Sequence, residues 1–173
     1  MIRSSIYFLI GAYSYLLIGQ SSKCQTVLLK QQVDSLQFLG ADAFDCNSVF
    51  WRIVAQKKEA IPYLIEKISD PVATAFKDKC KKDYLKVGDF AYLALEEIIR
   101  VPLMAVTRVQ FDVIEDGCWV GVFNYIENNR EKFKQQVKAW YSENNKRFRW
   151  KKFKNQDLPD CYQQNHILGQ YTY

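Results

Sequence analysis

The sequence predicts a single, mostly α-helical domain stabilised by disulfides, and three observations lead there. The 173-residue chain holds only 7 Gly and 4 Pro, too few for an all-β or loop-rich protein. Hydrophobic residues make up 49% of it and recur at helical spacing along most of its length. Five cysteines, separated by 22, 34, 38 and 43 residues, follow an N-terminal stretch with the features of an export signal.

That first stretch reads MIRSSIYFLIGAYSYLLIGQSSKC, with Arg3 ahead of a 13-residue apolar run from Ile6 to Ile18. Gly19 and Ser21 then provide the small residues that a signal peptidase reads just before its cut. The expectation is a signal peptide over 1–21 and one mature domain over 22–173. A spanning helix needs roughly 20 apolar residues, so no transmembrane span is expected in the mature chain. Two other readings stay open. One is a buried first helix of a cytosolic protein; the other is acylation at Cys24, against which the directly preceding Lys23 speaks.

There is no C-x-x-C and only one histidine, His166, so the cysteine spacings make no zinc site. No metal or cofactor is expected. In an oxidising compartment Cys24, Cys46, Cys80, Cys118 and Cys161 should form two disulfides and leave one thiol, with a pairing that spacing does not reveal. In the cytosol they would instead be reduced, buried small hydrophobes.

In chain order, 26–39 places Val27, Leu28, Val33, Leu36 and Leu39 on one side of an amphipathic helix that Gly40 ends. Asp45 or Asn47 could cap the next helix, which carries Val49, Phe50, Ile53 and Val54. Pro62 suits the first turn of a third helix that Asp70-Pro71 closes. The organising stretch is Val87 to Asp112. Asp89 is a good N-cap, Arg100 suits a helix C-terminus, and Pro102 ends or kinks what precedes it. Phe90, Leu93, Ala94, Leu95, Ile98 and Ile99 leave this helix apolar on most sides, as a core helix should be.

The second and central helical regions repeat one another. Phe50 and Phe90, Ile53 and Leu93, Val54 and Ala94, Ile61-Pro62 and Val101-Pro102, and Leu64 and Met104 are each 40 residues apart. Helix, proline, helix at that period resembles HEAT repeats, with two units readable around 47–112. The resemblance implies helical hairpins stacked on a shared core, while export is expected from the N-terminal stretch. Two packed hairpins of an ordinary, irregular helical domain fit the same spacing. The segment Asp78 to Lys86 is too polar to make a third unit.

Glu115-Asp116-Gly117-Cys118 lacks the ligand spacing of a calcium loop and reads as a turn. Gly121 to Asn144 is a long amphipathic helix with Phe123, Ile126, Phe133, Val137 and Trp140 on one face. Then the character of the chain changes: Lys146 to Lys154 holds six cations and three aromatics in nine positions. Arg130 to Lys154 carries +8 of the net +5, so the rest of the chain is slightly acidic. Lys146, Arg147, Arg149, Trp150, Lys151 and Lys152 are the candidate binding residues, because interleaved cations and aromatics suit anionic partners. The competing reading is a solvated basic helix end followed by a strand whose Phe148, Trp150 and Phe153 pack on the core. The tail after it returns to apolar and aromatic residues, with Cys161 available to tie it down.

Catalytic motifs are scarce. The lone His166 excludes H-E-x-x-H and multi-histidine centres, and no G-x-S-x-G, P-loop or G-x-G-x-x-G occurs. Nothing around Ser48, Ser69 or Ser142 looks like a nucleophile turn. Glu96-Glu97 could serve a wall-cleaving glycosidase, but neighbours on a helix point about 100° apart, away from a shared substrate. The sequence therefore favours an exported, non-catalytic binding protein of the bacterial envelope, of which an immunity-type protein is one version by analogy. Its partner would be another protein or an anionic envelope component, nucleic acid being disfavoured outside the cytosol. Binding of anionic lipid or glycan through 146–154 is the alternative, and a small cell-wall hydrolase the third reading.

Overall fold

The computed structural model describes residues 26–111, 114–115, 118–154 and 158–173. The expected signal segment and Cys24 lie outside those residues, as do Asp116, Gly117 and the side chain of Cys118. The described chain is mainly helical, with three small antiparallel pairs of strands. Among the described residues no helix is long and apolar enough to cross a membrane.

Helix α1 covers 26–34 and tightens into a 3-10 turn at Ser35–Phe38. Its core face is Leu29, Val33, Leu36 and Leu39, whereas Val27 and Leu28 are exposed. The expected helix to Leu39 is thus cut short. Leu39 is extended, and its carbonyl accepts a hydrogen bond from Ala75 N–H at 3.0 Å. Helix α2 (Val49–Val54) starts from Ser48 rather than from Asp45 or Asn47, and Asp45 instead closes the preceding turn through its carbonyl. Helix α3 (Ile61–Lys67) has Pro62 in its first turn, where the missing N–H is harmless.

The polar segment after Asp70 is a β-hairpin, β1 (Ala73–Lys77) with β2 (Tyr84–Lys86). Alternation over so few residues is too short a signal to read, and Thr74 marks the irregularity. Its hydroxyl donates to Leu85 C=O at 2.8 Å and accepts from Phe76 N–H, which holds the bulge in β1.

Helix α4 (Val87–Ile98) is the element the others pack on: α2, α3, β2, and the long α6 (Val120–Asn144) all touch it. Nine of its 12 residues are buried. Asp89 is not its N-cap but sits one turn in, reaching back to accept from Lys86 N–H at 2.8 Å. Gly88 permits the close docking on α3. A Cβ there would lie 2.1 Å from the Ile68 carbonyl oxygen. As expected, the helix stops before Pro102, which instead caps the short helix α5 (Leu103–Thr107). Pro62 lies in the first turn of α3 and Pro102 directly ahead of α5, and the β1–β2 hairpin separates α3 from α4.

Phe50 and Phe90 are buried in the core, and the half-buried Phe76 and the exposed Phe44 lead from them to the surface, the rings meeting edge to face or tilted with centroids 5.2–6.3 Å apart. Such pairs add about 0.5–1.5 kcal/mol each beyond the apolar area they bury. The backbones of β3 (Ile114–Glu115) and β4 (Cys118–Trp119) pair ahead of α6. Helix α6 buries Val122, Ile126, Phe133, Val137 and Trp140 and is bent at Asn129, whose φ/ψ of −138°/28° is not helical. Asn128 and Asn129 each turn their side-chain amide back onto the carbonyl four residues earlier, which competes with the helix ladder there. The chain ends with β5 (Arg149–Lys152), α7 (Asp160–Gln164) and β6 (Gly169–Thr172), β5 and β6 being paired.

Candidate functional site

The basic segment forms a turn and then strand β5. Phe148 is buried against Trp140 and Tyr141, and Trp150 is half-buried against Tyr171 at 4.9 Å between centroids. Lys57 lies over the same indole, its Nζ 4.9 Å from the ring centroid. Phe153 packs on Tyr162. The aromatics of the segment therefore do face the protein, as the packing reading required.

The cations do not. Lys146, Arg147, Arg149, Lys151 and Lys152 are all exposed, and no carboxylate among the described residues pairs with any of them. Five cations on α3, α6 and the hairpin turn are instead paired. Lys67 bridges Asp34 and Asp70, Lys134 pairs with Glu131, and Lys138 with Glu66. Lys81 and Arg130 both bind Asp89 and Glu127. Of the six residues named from sequence, Lys146 and Arg147 lie in the turn and Arg149, Trp150, Lys151 and Lys152 on β5; five are positive charges without a carboxylate partner among the described residues, and Trp150 is the anchor.

The hairpin is well fastened. Gly169 lets β6 approach β5, since a Cβ would fall 2.4 Å from Lys151 C=O. A disulfide joins Cys46 to Cys161, across 115 positions, and brings α7 onto the loop before α2. Asn165 Nδ2 donates to Cys46 C=O at 2.8 Å, and Gln164 to Asn47 at 2.6 Å, so polar contacts reinforce the bridge. Cys80 is disulfide-bonded as well. His166 is exposed in the left-handed turn after α7, at φ 54°, and its N–H donates to Gln163 C=O.

A second feature was not legible in the sequence. A mainly apolar cleft of about 790 Å³ opens between α4, α5 and the start of α6, walled by Leu93, Leu103, Met104, Phe111 and Phe123. Glu96 lies in it. Its Oε1 accepts from Val101 N–H at 2.9 Å, and Tyr92 hydrogen-bonds the carboxylate. Burial pushes the Glu96 carboxyl up to about 7, although Val101, Tyr92 and Arg100 all favour its charged form. Burial and the neighbouring Glu96 also raise the Tyr92 phenol. Glu97 turns the other way, accepting a hydrogen bond from Tyr162 OH. The two neighbouring carboxylates thus take their hydrogen bonds from different elements, Glu96 from Val101 and Tyr92 and Glu97 from Tyr162. The cleft is assembled from three chain segments, and the Glu96-Glu97 pair in an otherwise apolar helix was its one trace in the sequence.

No family model matches the chain, and it has no significant match to a curated protein or to a solved structure.

Proposed function

We propose that this is an exported, non-catalytic binding protein of the bacterial envelope that holds an acidic protein partner through the β5 hairpin. One observation carries the reading: Lys146, Arg147, Arg149, Lys151 and Lys152 are exposed and have no carboxylate partner among the described residues, on an anchored turn and strand, while Lys67, Arg130, Lys134 and Lys138 sit in ion pairs. Unpaired charge on a rigid element raises the encounter rate with an oppositely charged partner and loses little entropy on binding. Export is supported by the Cys46–Cys161 disulfide, which fits a compartment outside the reducing cytosol. The HEAT-like arrangement remains part of the same proposal, with α2–α3 and α4–α5 as its two units. An immunity-type role, neutralising a secreted toxin, is the concrete form we favour.

The test is affinity capture from native envelope extract, comparing the wild type with a variant neutralised at Lys146, Arg147, Arg149, Lys151 and Lys152. A stoichiometric acidic protein held by the wild type and lost from the variant supports the proposal. Capture of anionic lipid or glycan in a salt-sensitive manner would replace the protein partner with a surface. Capture of nothing by either would sink both.

A further inference from the structure

Among the described residues the β5 strand is an open edge: its single strand neighbour is β6, whose other side is met by Ile99 through a bridge to Tyr171. The register fixes which backbone groups are left over. Phe153 N–H donates to Leu168 C=O at 3.0 Å, in step with the pairs Lys151–Gln170 and Arg149–Thr172. In an antiparallel pair hydrogen-bonded and non-bonded positions alternate. Trp150, opposite Tyr171, and Lys152, opposite Gly169, therefore direct their N–H and C=O groups away from β6. The next outward carbonyl, that of Phe148, is already taken by the Arg149 guanidinium at 3.1 Å.

We infer that this edge takes up an extended acidic peptide segment of the partner as an added strand, hydrogen-bonded to Trp150 and Lys152 and flanked by Arg149 and Lys151. The inference rests on the acidic-partner reading and names how that partner is held. Backbone pairing at an exposed edge supplies affinity without demanding a sequence, and side-chain charge then selects the partner. Lysines on an edge are also a device against aggregation. Here the two effects agree in sign: a second copy of β5 brings the same cations and is repelled, while an acidic strand is attracted. Trp150, clamped by Tyr171, Gly169 and Lys57, keeps the edge in a fixed extended shape before binding.

The experiment uses the full mature chain and two short fluorescein-labelled peptides. One alternates Glu and Thr; the other is the same with a central Thr replaced by Pro, which keeps the charge but cannot complete a strand ladder. The alternating peptide is expected to bind, to slow amide exchange at Trp150 and Lys152, and to bind about tenfold more weakly once proline removes backbone hydrogen bonds. The Arg149→Glu, Lys151→Glu double variant, altered only at exposed positions, is expected to lose the binding while keeping its thermal unfolding. Equal binding of both peptides with unchanged exchange at Trp150 and Lys152 would overturn strand addition and leave acidic binding standing. Binding of neither peptide would overturn the inference and the acidic-partner reading with it.

Discussion

Asp89 and Arg130, 41 positions apart, meet at 3.2 Å between Oδ1 and Nη1 in the seam between α4 and α6. Asp89 is fully buried, and Lys81 from the hairpin turn reaches its other oxygen at 3.0 Å. Glu127, at the surface end, binds the same two cations at 2.6–2.7 Å and closes a four-membered ring. One carboxylate thus fastens three elements: the hairpin turn, the first turn of α4 and the middle of α6.

Replacing Arg130 by Met keeps the apolar stem and removes the charge. Asp89 then keeps Lys81 and the Lys86 N–H but has lost a partner within the protein, where water does not compensate. Removing one member of a buried pair costs about 3–5 kcal/mol, and the remaining Lys81 should hold the loss near the lower end. Urea unfolding of R130M reads it, with an unchanged m-value expected. A loss within error would mean that the ring contributes nothing to stability.

Glu96 gives a pH dependence of unusual sign. Its carboxyl is raised from 4.5 to about 7 by burial, so folding favours the protonated form. Its contribution is most favourable below the unfolded value and is lost as pH rises through the folded one. Stability should therefore fall between about pH 4.5 and 7. Gln cannot ionise and can still accept from Val101 N–H. E96Q should match the wild type in acid and exceed it by on the order of 2–3 kcal/mol above neutrality. Parallel stability curves for the two proteins across that range would refute the assignment.

Much of the fold could be read from residue spacing, and the losses have specific causes. Helices α2 to α4 and α6 announce themselves by period, and Pro62 and Pro102 mark their boundaries. Cys161 was legible as a tether, its partner Cys46 was not, because separation along the chain says nothing about proximity. Asp89 was recognised as a helix-start residue but placed too early, since an aspartate one turn inside reaches the same N–H groups. The β1–β2 hairpin was missed because strands of 5 and 3 residues show too little alternation. At the candidate site Lys146, Arg147, Arg149, Lys151 and Lys152 were named from the sequence, whereas Lys57, over the Trp150 indole from 93 positions away, was not. The open edge was not, because it depends on β6, 17 residues after the end of β5.

The Cys46–Cys161 bridge should carry the C-terminal hairpin's order. In the chain-entropy view, closing a loop of 115 residues stabilises by about 4–5 kcal/mol. C46S/C161S is expected to lower the unfolding midpoint and to speed amide exchange across 158–173 ahead of α4. Uniform acceleration through the whole domain would show the hairpin to be held by packing alone.

The final contrast separates packing from binding within five consecutive positions, Phe148 to Lys152. Phe148 is buried, in contact with Trp140, Tyr141 and Tyr173, whereas Arg149 and Lys151 are exposed and unpaired. Phe148→Ala removes a ring whose surroundings cannot fully collapse, a loss of about 3–5 kcal/mol. The double reversal Arg149→Glu, Lys151→Glu removes no core packing, only the Arg149 hydrogen bonds to the Lys146 and Phe148 carbonyls, and should stay within about 1 kcal/mol of the wild type. Trp150→Ala falls between, because the indole is half-buried and also loses Lys57 and Tyr171. Thermal unfolding of the three variants, read beside binding of an acidic probe, tests the division. Stability should follow the order wild type, double reversal, W150A, F148A, and the double reversal alone should lose binding without losing fold. If the double reversal unfolds the hairpin as F148A does, the cations belong to the packing and the free-charge argument for a partner collapses.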